Sequence, residues 1–128
     1  MKFPFQRENG LIIVPVELSG PIEGGIAHLA LDTGATYSMI NNEIAELLGY
    51  DPAVSKERVR IVTGSGIEFT SRIVVRQLQA LGLTKNDFGI LCHTLPSSAS
   101  IDGLLGLDFF VNTVLNIDFQ NGFISVDT

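Results

Sequence analysis

The chain has 128 residues and a mass of 13.8 kDa, enough for one domain (residues 1–128) and too little for two ordinary ones. Hydrophobic residues make up 45% and charged residues 17%, which excludes a disordered chain and suggests more apolar surface than a lone monomer needs. The net charge of −6 excludes the cationic footprint of a nucleic-acid binder.

The elements are mostly β. Residues 11–18 are rich in β-branched side chains, and Pro15 inside them predicts an edge or bulged strand. Glycines and Pro21 then mark a loop or hairpin. Residues 26–31 read as a strand running into Asp32. A helix follows over 42–48, capped by Asn41 or Asn42, with Glu43 in its first turn. Ile44, Leu47 and Leu48 form its apolar stripe, and Gly49 stops it.

Two strands, 58–62 and 67–75, flank Thr63-Gly64-Ser65-Gly66, a hairpin turn. Five cations (Lys56, Arg58, Arg60, Arg72, Arg76) gather here against Glu57 and Glu68. They read as a solvated hairpin in preference to a substrate-steering patch. Further strands are expected over 77–83 and 88–95, with a polar loop at 96–100. An apolar segment, 104–111, has Gly106 within it. Strands 114–119 and 123–126 close the chain around Gln120-Asn121-Gly122. Many short strands with regular turns predict a mainly β, closed or partly closed β-barrel with one or two short helices.

Several chemistries lack support. His28, His93 and Cys92 are too few and wrongly spaced for zinc, so no metal is expected. Cys92, the single cysteine, can form no internal disulfide and reads as a small buried hydrophobe. Gly64-Ser65-Gly66 lacks the third glycine of a dinucleotide fingerprint, and no Gly-x-Ser-x-Gly elbow exists. No cofactor is implied. The N-terminal region reads as neither signal peptide nor membrane span, so a cytoplasmic protein is expected.

What remains is Leu29-Ala30-Leu31-Asp32-Thr33-Gly34-Ala35-Thr36. An apolar strand delivers a carboxylate into a Thr-Gly turn, where strand propensity disfavours it. An Asx-turn cap is one explanation. The second element is Gly103-Leu104-Leu105-Gly106, with Leu104 lying 72 positions after Asp32. Its bulky pair can support the aspartate loop, and its glycine permits close backbone approach.

These two elements, with the Gly64 hairpin between them, resemble the retropepsin-like aspartic protease family, in its single-domain cellular and bacterial branch. The resemblance covers roughly residues 11–126. It implies the acid-protease barrel and an aspartic endopeptidase acting on extended peptide. Only one Asp-Thr-Gly is present, so the resemblance requires a homodimer with Asp32 and its mate at the two-fold axis. Two carboxylates about 3 Å apart share one proton. The ionised one would act as general base on water and the protonated one would polarise the scissile carbonyl, favouring acidic to near-neutral pH.

The resemblance also assigns supporting roles. Thr33 would hydrogen-bond across the dimer axis, and the Gly34 N–H would orient the carboxylate. Gly64, Ser65 and Gly66 would form the flap tip over substrate. Leu104, Leu105 and Gly106 would support the loop, with Ala35 and Val62 as further wall or support residues. Thr36 and Leu107 stand where retroviral members carry a pairing acid and arginine. Residues 1–5 and 122–126 are candidate interface strands. Two other functions compete: a catalytically silent peptide-binding or dimerisation module of the same fold, and an unrelated small β-barrel whose Asp32 caps a turn.

Overall fold

The computed structural model describes residues 1–55, 57–95 and 100–128, with the side chain of Thr63 left aside. Lys56 and most of the expected polar loop at 96–100 lie outside the described residues. Eleven strands are formed among the described residues: β1 (Lys2–Pro4), β2 (Gln6–Glu8), β3 (Leu11–Ser19), β4 (Gly24–Leu31), β5 (Met39–Asn41), β6 (Arg58–Thr63), β7 (Gly66–Ala80), β8 (Leu83–His93), β9 (Gly103–Leu105), β10 (Val114–Asp118) and β11 (Phe123–Asp127). One α-helix, α1 (Asn42–Leu48), and two 3-10 turns, Pro52–Val54 and Leu107–Phe110, complete the described elements.

The main sheet runs β2-β3-β4-β9-β5-β8-β7-β6. It bends back on itself because Glu17–Ser19 of β3 also pair with Gln77–Gln79 of β7. Six strands thus form a ring, as expected for a small barrel, with β2 and β6 hanging outside it. Alternation builds the core: Val14, Val16 and Leu18 point inward from β3 while Pro15 and Glu17 point out. Leu29, Val75, Leu78, Ile90, Leu105, Phe109 and Ile124 join them.

Pro15 is not in an edge strand, because β3 has neighbours on both sides. On one side Pro15 stands opposite His28 of β4. The backbone N–H and C=O of His28 are both engaged with Asp102, each at 2.8 Å, on the far side of β4. The Pro15–His28 pair is therefore a non-hydrogen-bonded one, and the proline nitrogen points to the other edge. There β2 pairs with 11–13 and β7 with 17–19, leaving Pro15 in the gap. The missing donor costs nothing where β3 changes partner.

The expected break near residue 76 is absent. β7 runs uninterrupted to Ala80, and the turn falls at Leu81-Gly82, with φ of 52° and 77°. Two positive φ values give the primed hairpin twist. Leu81 tolerates the left-handed region because its side chain is buried in the core. β8 consequently starts at Leu83 rather than 88 and ends at His93.

α1 has the expected caps. Asn41 Oδ1 accepts from the Glu43 N–H at 3.2 Å, and Gly49 at φ 102° closes the helix by donating to the Glu46 carbonyl. The stripe is displaced by one position. Ala45 and Leu48 are buried with Ile44 packed beside them, and Leu47 faces solvent. The 3.6-residue period places 44, 45 and 48 on one face.

The candidate interface strands pair within one chain. β1 lies on β11, with Lys2 opposite Ser125, and β11 pairs with β10. Among the described residues no helix is long and apolar enough to cross a membrane. Cys92 is buried on β8, and burial pushes its thiol up to about 12.

Candidate active site

β4 carries the chain into the site, and β9 runs parallel beside it, with Leu31 opposite Leu105. The Asp32 N–H extends that ladder by donating to the Leu105 carbonyl at 2.9 Å. The Ala35 N–H donates to the Asp32 carbonyl at 3.1 Å, closing a turn. Within it the Gly34 N–H donates to Asp32 Oδ1 at 2.9 Å. The carboxylate is thus aimed by its own turn. A Cβ at Gly34 would sit 3.1 Å from Oδ1, so a side chain there would crowd the oxygen the N–H is holding. Asp32 is half-buried, and Thr33 and Gly34 are exposed beside it.

The loop is anchored from beneath by the segment after β9. The Leu107 N–H donates to the Ala35 carbonyl at 2.8 Å. The Gly106 N–H donates to Ser38 Oγ at 2.9 Å, and Ser38 Oγ donates to Asp108 Oδ1 at 2.6 Å. The Ser38 N–H adds contacts to both Asp108 oxygens at 2.9 and 3.0 Å. Glycine is required for this approach. A Cβ at Gly106 would lie 2.7 Å from the Ala35 carbonyl oxygen, and one at Gly103 only 2.0 Å from that of Met39. Leu105 is fully buried under the loop.

Thr36 and Leu107 are both exposed and form no charged pair. The Leu107–Ala35 backbone bond joins the two segments at this point instead.

Asp32 opens into a cleft of about 550 Å³. Ala35, Met39, Leu91 and Leu104 line its floor and walls, with Tyr37 at its rim. Arg60, Ile61 and Val62 of β6 form the opposite side. The β6–β7 hairpin therefore borders the same cleft as Asp32. Its turn is Gly64-Ser65, with Thr63 opposite Gly66 and Gly66 at φ 120°. Gly64, Ser65 and Gly66 themselves do not line the cleft.

A second cavity of about 570 Å³ lies between β3 and the Leu81-Gly82 turn and shares no lining residue with the first. Its one ionisable side chain is Glu17. Its other polar side chains are Gln79 and Thr84, which bond to each other at 3.2 Å. The two histidines are apart from one another: His28 lies 3.9 Å from Asp102, and His93 lies 3.6 Å from Glu68. No group of three or more His, Cys, Asp or Glu suited to a metal ion occurs among the described residues.

Sequence reasoning missed Ser38 and Asp108, and read Arg60 as part of a solvated hairpin in preference to a substrate-steering patch. An aspartate inside the apolar run Leu107-Asp108-Phe109-Phe110 was the available signal for Asp108. A half-buried carboxylate there calls for donors, and its partner, Ser38, is remote in sequence.

Fold and site together define an aspartic-protease architecture. Residues 14–109 match the family model described as aspartyl protease, and the chain belongs to that family. Its structure is similar to a retropepsin-like aspartic protease from Rickettsia conorii, with a TM-score of 0.70 at 16% identity, covering 99% of this chain and 90% of that one. It is also similar to the retroviral protease-like domain of Ddi1 from Leishmania major, with a TM-score of 0.59 at 20% identity, covering 92% and 94%. No curated protein sequence matches the chain.

Proposed function

We propose that the chain is a single retropepsin-like unit that hydrolyses peptide bonds as a homodimer, with Asp32 of each protomer forming the catalytic pair. The observation that carries this reading is the Asp32 carboxylate, held by the Gly34 N–H at 2.9 Å and opening into a largely apolar cleft beneath the β6–β7 hairpin. A turn cap alone would need neither that cleft nor the anchoring from Ser38 and Asp108.

In the assembled pair, one carboxylate is ionised and takes a proton from the shared water. The water oxygen attacks the scissile carbonyl carbon, while the protonated carboxyl donates to the carbonyl oxygen. The resulting diol is neutral, so no oxyanion hole is required. It collapses as the C–N bond breaks and a proton passes to the leaving amine. Thr33 joins the two loops across the axis, and Gly34 orients the carboxylate. Gly64, Ser65 and Gly66 close over substrate once it is seated. Leu104, Leu105 and Gly106 hold the loop from below.

The test is cleavage of a mixed peptide library by wild type and Asp32→Asn from roughly pH 3.5 to 7.5, where a shared-proton pair operates. Cuts made only by wild type support the reading. Peptide binding without cuts at any pH would assign the same fold to a catalytically silent binding module. A monomer without cuts or binding would leave Asp32 as a turn cap.

A further inference from the structure

The cleft around Asp32 has one cation on its wall, Arg60. The remaining lining is apolar or neutral apart from Asp32 itself. Among the described residues, no carboxylate lies within 4.0 Å of the Arg60 guanidinium. The neighbouring charges are already committed elsewhere. Glu57 pairs with Arg72 at 2.9 Å, Glu68 faces His93 at 3.6 Å, and Arg58 donates to Ser71 Oγ. Of the four described cations of this region, Arg58, Arg60, Arg72 and Arg76, only Arg72 has a carboxylate partner, and Arg60 is the one that lines the cleft.

The backbone around it points to the form of the ligand. Arg60, Ile61 and Val62 are consecutive, and all three line the cleft. Side chains alternate along a strand, so a cleft bordered by three neighbours reaches the main chain of β6 as well as its side chains. β6 ends the sheet, with β7 on its one paired side. An extended chain lying along that edge would place successive side chains against apolar and cationic surroundings in turn.

We propose that Arg60 is a specificity-determining residue that selects an acidic side chain in the peptide, at a position flanking the apolar residue seated against Met39, Leu91 and Leu104. This rests on the reading of the cleft as a peptide site. The acidic group would sit on the β6 side, where the Arg60 guanidinium lies more than 4.0 Å from either Asp32 carboxylate oxygen. The guanidinium offers a planar pair of donors suited to a carboxylate, and seating the peptide removes water from around it.

The experiment uses the Asp32→Asn protein, which under the proposed function should hold peptide without turning it over. Labelled peptides with an apolar centre carry Glu, Gln or Lys at each flanking position in turn, and Kd is read by fluorescence anisotropy. At one position Glu should bind roughly three- to tenfold tighter than Gln, with Lys weaker than both. The preference should shrink as salt rises from about 50 to 500 mM. Adding Arg60→Gln should abolish it, Arg60→Lys should keep part of it, and Arg60→Glu should turn it toward Lys. Equal affinity for Glu and Gln at every position, an unchanged preference in Arg60→Gln, or no binding of any peptide would overturn the inference. Wild-type protein incubated with the same peptides separates the two readings. Arg60-dependent binding without cleavage would sink the protease and leave the acidic selectivity standing.

Discussion

The hydroxyl of Ser38 donates to Asp108 Oδ1 at 2.6 Å across 70 residues of sequence, and the same oxygen atom of Ser38 receives the Gly106 N–H at 2.9 Å. One serine thereby ties the loop after Asp32 to both the glycine and the carboxylate that follow β9. Ser38 is fully buried, so its N–H and hydroxyl have no water to fall back on, while Asp108 is half-buried.

Removing the carboxylate should be costly for that reason. Asp108→Ala leaves the Ser38 N–H and hydroxyl without their acceptor, and should lower stability by about 2–3 kcal/mol in urea denaturation. Asp108→Asn keeps one acceptor oxygen and should recover at least half of the loss. An Ala variant as stable as wild type would show that the loop is held by packing alone.

Asp32→Asn should behave in the opposite way. Asparagine Oδ1 can still accept from Gly34, so the melting temperature should stay within a few degrees of wild type. Peptide cleavage should fall by at least about 100-fold, the lower range for loss of a general base. Calorimetry and a peptide assay on the same preparations check both halves.

The glycines of the second segment give a graded expectation. At Gly103 an added Cβ would meet the Met39 carbonyl oxygen at 2.0 Å, and at Gly106 the Ala35 carbonyl oxygen at 2.7 Å. Both contacts are with backbone, which cannot rotate away. Gly103→Ala should destabilise by about 3 kcal/mol or more, and Gly106→Ala by somewhat less. Gly25→Ala, with open space around it, is the control that should change little.

Cys92 sets an alkaline limit. Burial holds its thiol up to about 12 in the folded chain, against an ordinary value of 9.0. Its contribution to stability is fully present below pH 9, where both states are protonated. As pH rises from 9 toward 12, only the unfolded chain releases the proton, so stability falls. The comparison is between wild type and Cys92→Ala: the wild-type stability curve should descend more steeply in that window. Alkylation of native Cys92 at neutral pH should be slow and should accelerate on unfolding.

Much of the site was legible because its signals are local. An apolar strand ending in Asp-Thr-Gly, a Gly-Ser turn between two strands, and a helix between Asn41 and Gly49 each lie within a few residues. What was hidden depends on remote partners. β1, β2 and β5 are three residues long, and only their neighbours make them strands. Pro15 argued for an edge because the switch of partner along β3 cannot be seen from β3. Leu81-Gly82 carries no polar turn residue, since the core it packs into stabilises the left-handed leucine. Ser38 and Asp108 look ordinary until the fold brings them together.

The closure of β1 on β11 within one chain separates two events. With β1 paired to β11 of the same chain, each protomer is expected to reach a folded state alone. Under the proposed mechanism that state holds half of a catalytic pair. Dilution would then switch activity off while leaving the fold intact, and the cell's concentration of this chain would itself act as the control on proteolysis.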